Sequence, residues 1–285
     1  MKRAVLIILC FVFLASSSAC TINGMDLESF RDSIAARADA KETRSGVEKI
    51  VQTSEGTVGL RLEHTAGNIE ISESVSKEIS VSFEKIVRGN DESANREVMD
   101  NIKVLAEKKG NILTVKAVAR DDGNTDLWKW VSGKYHNISV SINYTISVPK
   151  EIRKYTIGMV AGNVKLQGLA GEMDITSNAG NIEMQGVSPE GRNNIELNAG
   201  NITIDCIAIV AADSITTKCN AGNFTMSLPG DSGLDFDLSV NAGNIGGTLV
   251  SKQVLGKGKV KDEINGGGTL VKTNLNAGNI TVDKK

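Results

Sequence analysis

The chain has 285 residues, 40% hydrophobic and 23% charged, with a formal net charge of −2. This is a globular composition, which excludes a disordered chain. The charge is near zero and Lys and Arg are dispersed, so there is no electrostatic footprint for nucleic acid.

Residues 1–19 read as an export signal. Lys2 and Arg3 precede an apolar run over residues 4–15, too short to cross a bilayer as a helix, and "SSSAC" follows with small residues up to Cys20. A small residue before Cys20 resembles a bacterial lipoprotein signal, which implies lipid attachment at Cys20 and a firm membrane anchor. Ser17 and Ala19 also suit ordinary signal cleavage, the second choice here, and Ser17 stands where lipoprotein signals usually carry Leu. The expected location is therefore the cell envelope, as an outer-membrane or periplasmic lipoprotein, or else outside the cell. Residues 20–45 are polar and read as a tether.

Residues 46–150 read as an irregular N-terminal β-section. Short β runs stand at 58–63, 68–73 and 78–86, and "DESANREVMDNI" (91–102) reads as a short helix with an acidic start. Residues 102–118 read as a hairpin turning at 109–111. "NISVSINYTISVP" (137–149) alternates, with Val140, Ile142, Tyr144 and Ile146 on one face, and ends at a Pro that cannot continue a ladder. "DDGNTD" (121–126) departs from a calcium loop, with Leu127 where Gly is needed and Gly133 where a bidentate Glu is needed. It reads as a plain acidic loop. "LWKW" next to it puts Trp128 and Trp130 on one face if extended, near Tyr135. Two roles stay open for these aromatics: contact with a glycan, or a lid over the end of a coil.

Residues 151–285 carry a repeat continuous with the section before it. AGN occurs seven times, at Gly67/Asn68, Gly162/Asn163, Gly180/Asn181, Gly200/Asn201, Gly222/Asn223, Gly243/Asn244 and Gly278/Asn279. Four consecutive intervals near twenty residues mark a stacked coil. "LNAGNITID" (197–205) returns almost unchanged as "LNAGNITVD" (275–283). Apolar residues alternate on both sides of each Gly, for example Leu197/Ile195 before Gly200 and Ile202/Ile204 after it, which is β periodicity. Gly supplies a conformation that a Cβ obstructs, Asn tolerates positive φ, and Ala is expected where the coil interior is narrowest. Stacked Asn residues about 4.8 Å apart can bond along a column. The expected fold is all-β: a single-stranded parallel β-solenoid with coils in chain order. Residues 251–269 are expected to form one degenerate coil or a surface loop.

Cys206 and Cys219 are left after the signal and Cys20. A disulfide and two buried thiols both fit.

The stretches "YTISVPKEI", "AGNVKLQG", "SNAGNIEMQG", "LNAGNITID" and "GGGTLVKTNLNAGNITVD" resemble bacterial envelope proteins of the putative-adhesin family, over roughly residues 50–285. The resemblance implies a β-solenoid at the cell envelope and is silent on the ligand. Where that family usually has an acidic or polar residue after the Gly, this chain has Asn at all seven positions.

No catalytic, cofactor or metal set emerges. His64 and His136 lack Cys or His partners at ligand spacing, and no nucleophile elbow or phosphate loop occurs. Asp174, Glu183, Glu196 and Asp205 are the acids that an enzyme reading, a polysaccharide-acting β-helix, would have to use. The reading preferred over it is a non-enzymatic envelope scaffold that binds a glycan or protein, and a structural or stress-sensing envelope component stands beside both.

Overall fold

The structure, a computed structural model, describes residues 40–209 and 211–285. The signal, Cys20 and most of the expected tether lie outside them. The described chain opens with β1 (Lys41–Arg44), inside the stretch read as tether, and β2 (Glu48–Thr53), then β3 (Gly59–Ala66) and β4 (Ile69–Ser74) around the first AGN. β5 (Glu78–Gly89), α1 (Glu92–Asn101), β6 (Ile102–Lys109), β7 (Ile112–Ala119), β8 (Thr125–Asp126), α2 (Leu127–Lys134) and β9 (Ser139–Pro149) follow. β10 (Lys154–Ala161), β11 (Val164–Gln167), β12 (Ala170–Ala179), β13 (Ile182–Ala199), β14 (Ile202–Cys206), β15 (Ala211–Ala221) and β16 (Phe224–Leu228) carry the middle corners. β17 (Leu234–Ala242), β18 (Asn244–Gly246), β19 (Val254–Leu255), β20 (Gly258–Ile264), β21 (Thr269–Ala277) and β22 (Ile280–Lys284) close the chain.

Strands before and after each corner pair within separate sets, which gives two faces. One runs β6–β7–β3–β10–β12–β13–β15–β21–β17–β20. The other runs β5–β9–β4–β11–β13–β14–β16–β22–β18–β19, with β1 and β2 also on β5. β13 serves both, its first part in one layer and its second part in the next. Residues 41–285 form one compact unit, and the N-terminal β-section joins the repeats directly where β3 pairs with β10.

The corner sequence explains itself in this stack. Gly200 has φ +134, and a Cβ there would sit 1.6 Å from the Gly180 carbonyl oxygen. No side chain fits between layers that close. The inward residues on either side are shielded: Ile195 is 0% exposed, Leu197 3%, Ile202 0% and Ile204 1%. Each contributes about 1.5–3 kcal/mol on burial, and the inward residues of both faces belong to one core.

Four expectations need correction. First, the sheet is all-β but mixed. The inner layers pair in parallel, whereas β5, β6, β19 and β20 pair antiparallel at the two ends. A strand that returns through a tight turn, as β6 does into β7 around Gly110, has to run antiparallel to its partner. Second, layers do not follow chain order. β21 lies between β15 and β17, so Gly278 stacks on Gly222, and Gly243 on Gly278. Third, residues 251–269 make neither a coil nor a plain loop: β19 and β20 are edge strands that cover β18 and β17. Fourth, the corner alanines face outward. Ala161, Ala179, Ala199, Ala221, Ala242 and Ala277 are all exposed, because the chain turns at the corner and breaks the alternation there.

Candidate binding surface

The corner edge of the stack is a column of amides. Asn163 Nδ2 donates to Asn68 Oδ1 at 3.0 Å, Asn181 to Asn163 at 3.1 Å, Asn201 to Asn181 at 3.3 Å and Asn223 to Asn201 at 3.2 Å. Asn279 donates to Asn223 at 3.1 Å and Asn244 to Asn279 at 3.1 Å. Each acceptor oxygen also takes the backbone N–H of the same following Asn, for instance Asn201 N to Asn181 Oδ1 at 3.1 Å. All the amide dipoles point one way. Asn68 donates to Asn143 at 3.4 Å, and Asn143 donates to Glu84 at 3.5 Å, so a carboxylate stands at the donor end. At the other end the Gly256 N–H donates to Asn244 Oδ1 at 3.3 Å. A second column, two residues before each Gly, links Asn198, Asn220, Asn276 and Asn241 by donations of 2.7, 2.7 and 2.8 Å.

The aromatic cluster is divided. Residues 127–134 are helical because Asp126 caps the helix, accepting from Lys129 N at 2.9 Å, and because Leu127 and Val131 bury one face at i,i+4 spacing. Trp128 and Trp130 therefore point apart. Trp130 meets Tyr135 with ring centroids 5.5 Å apart, and Lys134 Nζ lies 5.3 Å from the Trp130 centroid. Tyr135 and Lys134 both donate to Glu97 on α1, at 2.6 and 2.9 Å, and these donors hold the Glu97 carboxyl below its usual range. This half of the cluster ties α2 to α1. Trp128 instead donates to the Val140 carbonyl at 3.2 Å and packs edge-on against buried His64, with centroids 5.2 Å apart.

Beside Trp128, on the outer surface of the first face, lies a cleft of about 380 Å3. Its floor is Gly158 and Val160, and Glu63, Asp126, Thr176 and Asn178 stand around it. On the other side of the indole, between α2 and β9, lies a second depression of about 530 Å3 lined by Val131, Ile138 and Val140. The sequence carries a signal for the first cleft. The residue two before Gly is Asn at five corners, but Thr65 and Val160 at the two layers beneath Trp128.

The disulfide is not formed: Cys206 and Cys219 are both free and buried. Cys219 sits near a corner on one face, in register with Leu197, and Cys206 is far from the corner on the other, in register with Val187. Packed faces stand about 10 Å apart, and a disulfide needs Cα atoms within about 7 Å. Burial pushes the Cys206 thiol up to about 12. The four candidate acids do not converge either. Asp174 and Glu196 belong to one face, Glu183 and Asp205 to the other. Lys218 occupies Glu196 at 2.6 Å, which lowers that carboxyl's pKa, and Lys285 occupies Asp205 at 2.5 Å. Among the described residues no group of three His, Cys, Asp or Glu is placed to hold a metal.

No protein-family model matches the chain, and no curated protein sequence matches it. Three solved structures show a likeness of fold. A putative cell adhesion protein from Clostridium sporogenes is 15% identical, with a TM-score of 0.48 over 84% of this chain and 99% of its own. A putative adhesin from Bacteroides fragilis is 12% identical, at 0.36 over 85% and 98%. A protein from Parabacteroides distasonis described as a putative lipid binding protein is 14% identical, at 0.30 over 84% and 97%. At these identities and scores, what this chain binds has to be argued from its own residues.

Proposed function

We propose that the chain is an exported cell-envelope protein in which a short capped β-solenoid serves as a binding scaffold for a surface glycan or protein, without catalysis, held at the membrane by lipid on Cys20. The observation that carries this reading is the continuous amide column from Asn143 to Asn244. It presents identical groups about 4.8 Å apart on a rigid backbone, and a surface ordered before contact loses little entropy when a partner docks. The division of Asp174, Glu183, Glu196 and Asp205 between two faces, two of them ion-paired, favours binding over hydrolysis.

The test is a screen of the full chain against immobilised envelope polysaccharides and envelope proteins. Saturable binding without release of sugar is expected. Sugar release that one Asp→Ala or Glu→Ala variant abolishes would replace the scaffold with an enzyme, and absence of binding throughout would end this reading. The anchor is tested separately by metabolic labelling with palmitate: the wild type is expected to label and Cys20→Ala to lose the label. A wild type that never labels overturns lipid attachment.

A further inference from the structure

The geometry points to the cleft between Trp128 and Gly158 as a subsite for the ring of a neutral pyranose sugar. This rests on the glycan arm of the function proposed above and places it at one spot.

Four observations meet there. The first is the glycine. Gly158 occupies an outward position in β10, in register with Glu63 on one side and Thr176 on the other. The same column continues through Glu196, Lys218, Asn274 and Ser239, so Gly158 is its one bare position. Gly158 is not among the positive-φ glycines, and a Cβ there would meet nothing within 4 Å. Neither backbone strain nor crowding requires glycine. What the missing side chain does is leave the floor open.

The second is the wall. The Trp128 indole is fixed by its hydrogen bond to Val140 and its edge contact with His64, and it is partly buried, with the remainder open to solvent. A held aromatic ring next to an apolar floor offers a platform at low entropic cost. Val160 extends that platform; it is 46% exposed, unusual for a strand valine in this molecule.

The third is the rim. The second amide column stops one layer short of the cleft. Asn198, Asn220, Asn276 and Asn241 bond to one another, whereas Asn178 makes no side-chain hydrogen bond within the described residues. Glu63 has no ion-pair or hydrogen-bond partner there, and Asp126 uses one oxygen for its helix cap. These groups are free to take hydroxyls.

The fourth is balance of size and charge. The cleft, about 380 Å3, lies at the small end of the ~300–1,000 Å3 range of ligand sites. Its lining holds two carboxylates and no Lys or Arg. An apolar patch ringed by acceptors and an amide matches a ring with C–H faces and hydroxyl edges. The carboxylates repel a sugar acid, so the site selects against uronic acids.

The experiment reads Trp128 directly. In a full-length Trp130→Phe background Trp128 is the remaining Trp, since the chain has two, and its emission is read apart from that of Tyr. That protein is titrated with glucose, galactose, mannose and N-acetylglucosamine, each free and as a short oligosaccharide, and with glucuronate and galacturonate. A saturable spectral change is expected with at least one neutral sugar, with affinity at least about tenfold weaker for the matching uronate, a difference of about 1.4 kcal/mol. A response to free sugar assigns the site to a single ring, and a response to oligosaccharide alone assigns it to a ring within a chain. Gly158→Val puts a side chain on the floor, where a Cβ meets nothing within 4 Å, and should abolish the response at an unchanged Tm. Glu63→Gln, on an exposed residue, should narrow the neutral-to-uronate ratio. An undiminished response in Gly158→Val overturns the inference. So does a failure to answer any neutral sugar when the same chain binds an envelope polymer or protein in the broader screen; in that case the scaffold reading survives and only this site is lost.

Discussion

His64 shows what one inward position in a tight stack does to a titratable group. It is aligned with Met159 in the next layer and is 5% exposed. The rings of Trp128 and Tyr144 press edge-on against it, and neither ring nitrogen has a hydrogen-bond partner. Burial drives its pKa down from 6.5 to about 4, while the carbonyls of Ile142 and Ala66, outside hydrogen-bond geometry, pull weakly the other way. The neutral ring belongs to the fold and the unfolded chain takes the proton. The associated stability is therefore complete above about pH 6.5 and is lost as pH falls through that value toward 4. The full loss is about 3 kcal/mol. Thermal melts between pH 7.5 and 4 should show Tm falling in the wild type and a distinctly flatter profile in His64→Met, which keeps a side chain of the kind Met159 has in the adjoining layer. Parallel profiles would place the acid sensitivity elsewhere. That His64 is packed was legible from its alternation with Leu62. Its contact with Trp128 was not, because 64 residues separate the two in sequence and only the fold brings them together.

The last three strands explain a run that looked featureless, "NGGG" at 265–268. Leu234 at the start of β17 pairs with Ile264 at the end of β20 and with Thr269 at the start of β21. The connection must cross over the end of β17 in four residues. Asn265, Gly266, Gly267 and Gly268 all have positive φ, at 53, 83, 75 and 148, a run that side chains with a Cβ resist. The crossing drops β21 and β22 into a slot between layers already laid down by β15/β16 and β17/β18. We expect a chain ending at residue 268 to leave two bare parallel edges facing each other about 10 Å apart. It should show a lower Tm and protease cuts between residues 229 and 264 that the intact protein resists. An unchanged melt and digestion pattern would mean that this layer adds nothing to its neighbours. The helix at 127–134 is a second element whose signal was present but outweighed: the apolar pair Leu127 and Val131 fits a helix, while "LWKW" alone fits a strand.

At the scale of the whole molecule, the ends decide what the stack can do. A parallel stack exposes open edges that invite further strands. Here one end is covered by β5, β6 and α1, the other by β19 and β20, and β20 carries Lys259, Lys261, Asp262 and Glu263 along the edge. Charged side chains on an edge strand oppose growth by addition of another copy. No helix among the described residues is long and apolar enough to cross a membrane. The sequence by itself determined the corners, the inward direction of the alternating apolar residues beyond the corner alanines, and the amide column, because these depend on residues within about five positions of a glycine whose conformation few other residues accept. Only the tertiary structure decided which layer lies on which, that both ends turn antiparallel, that the corner alanines face outward, and that a bare glycine lies in front of Trp128. Corners of nearly identical sequence offer nearly identical edges, so local pattern cannot choose between neighbours; the choice falls to pairings between residues far apart in the chain.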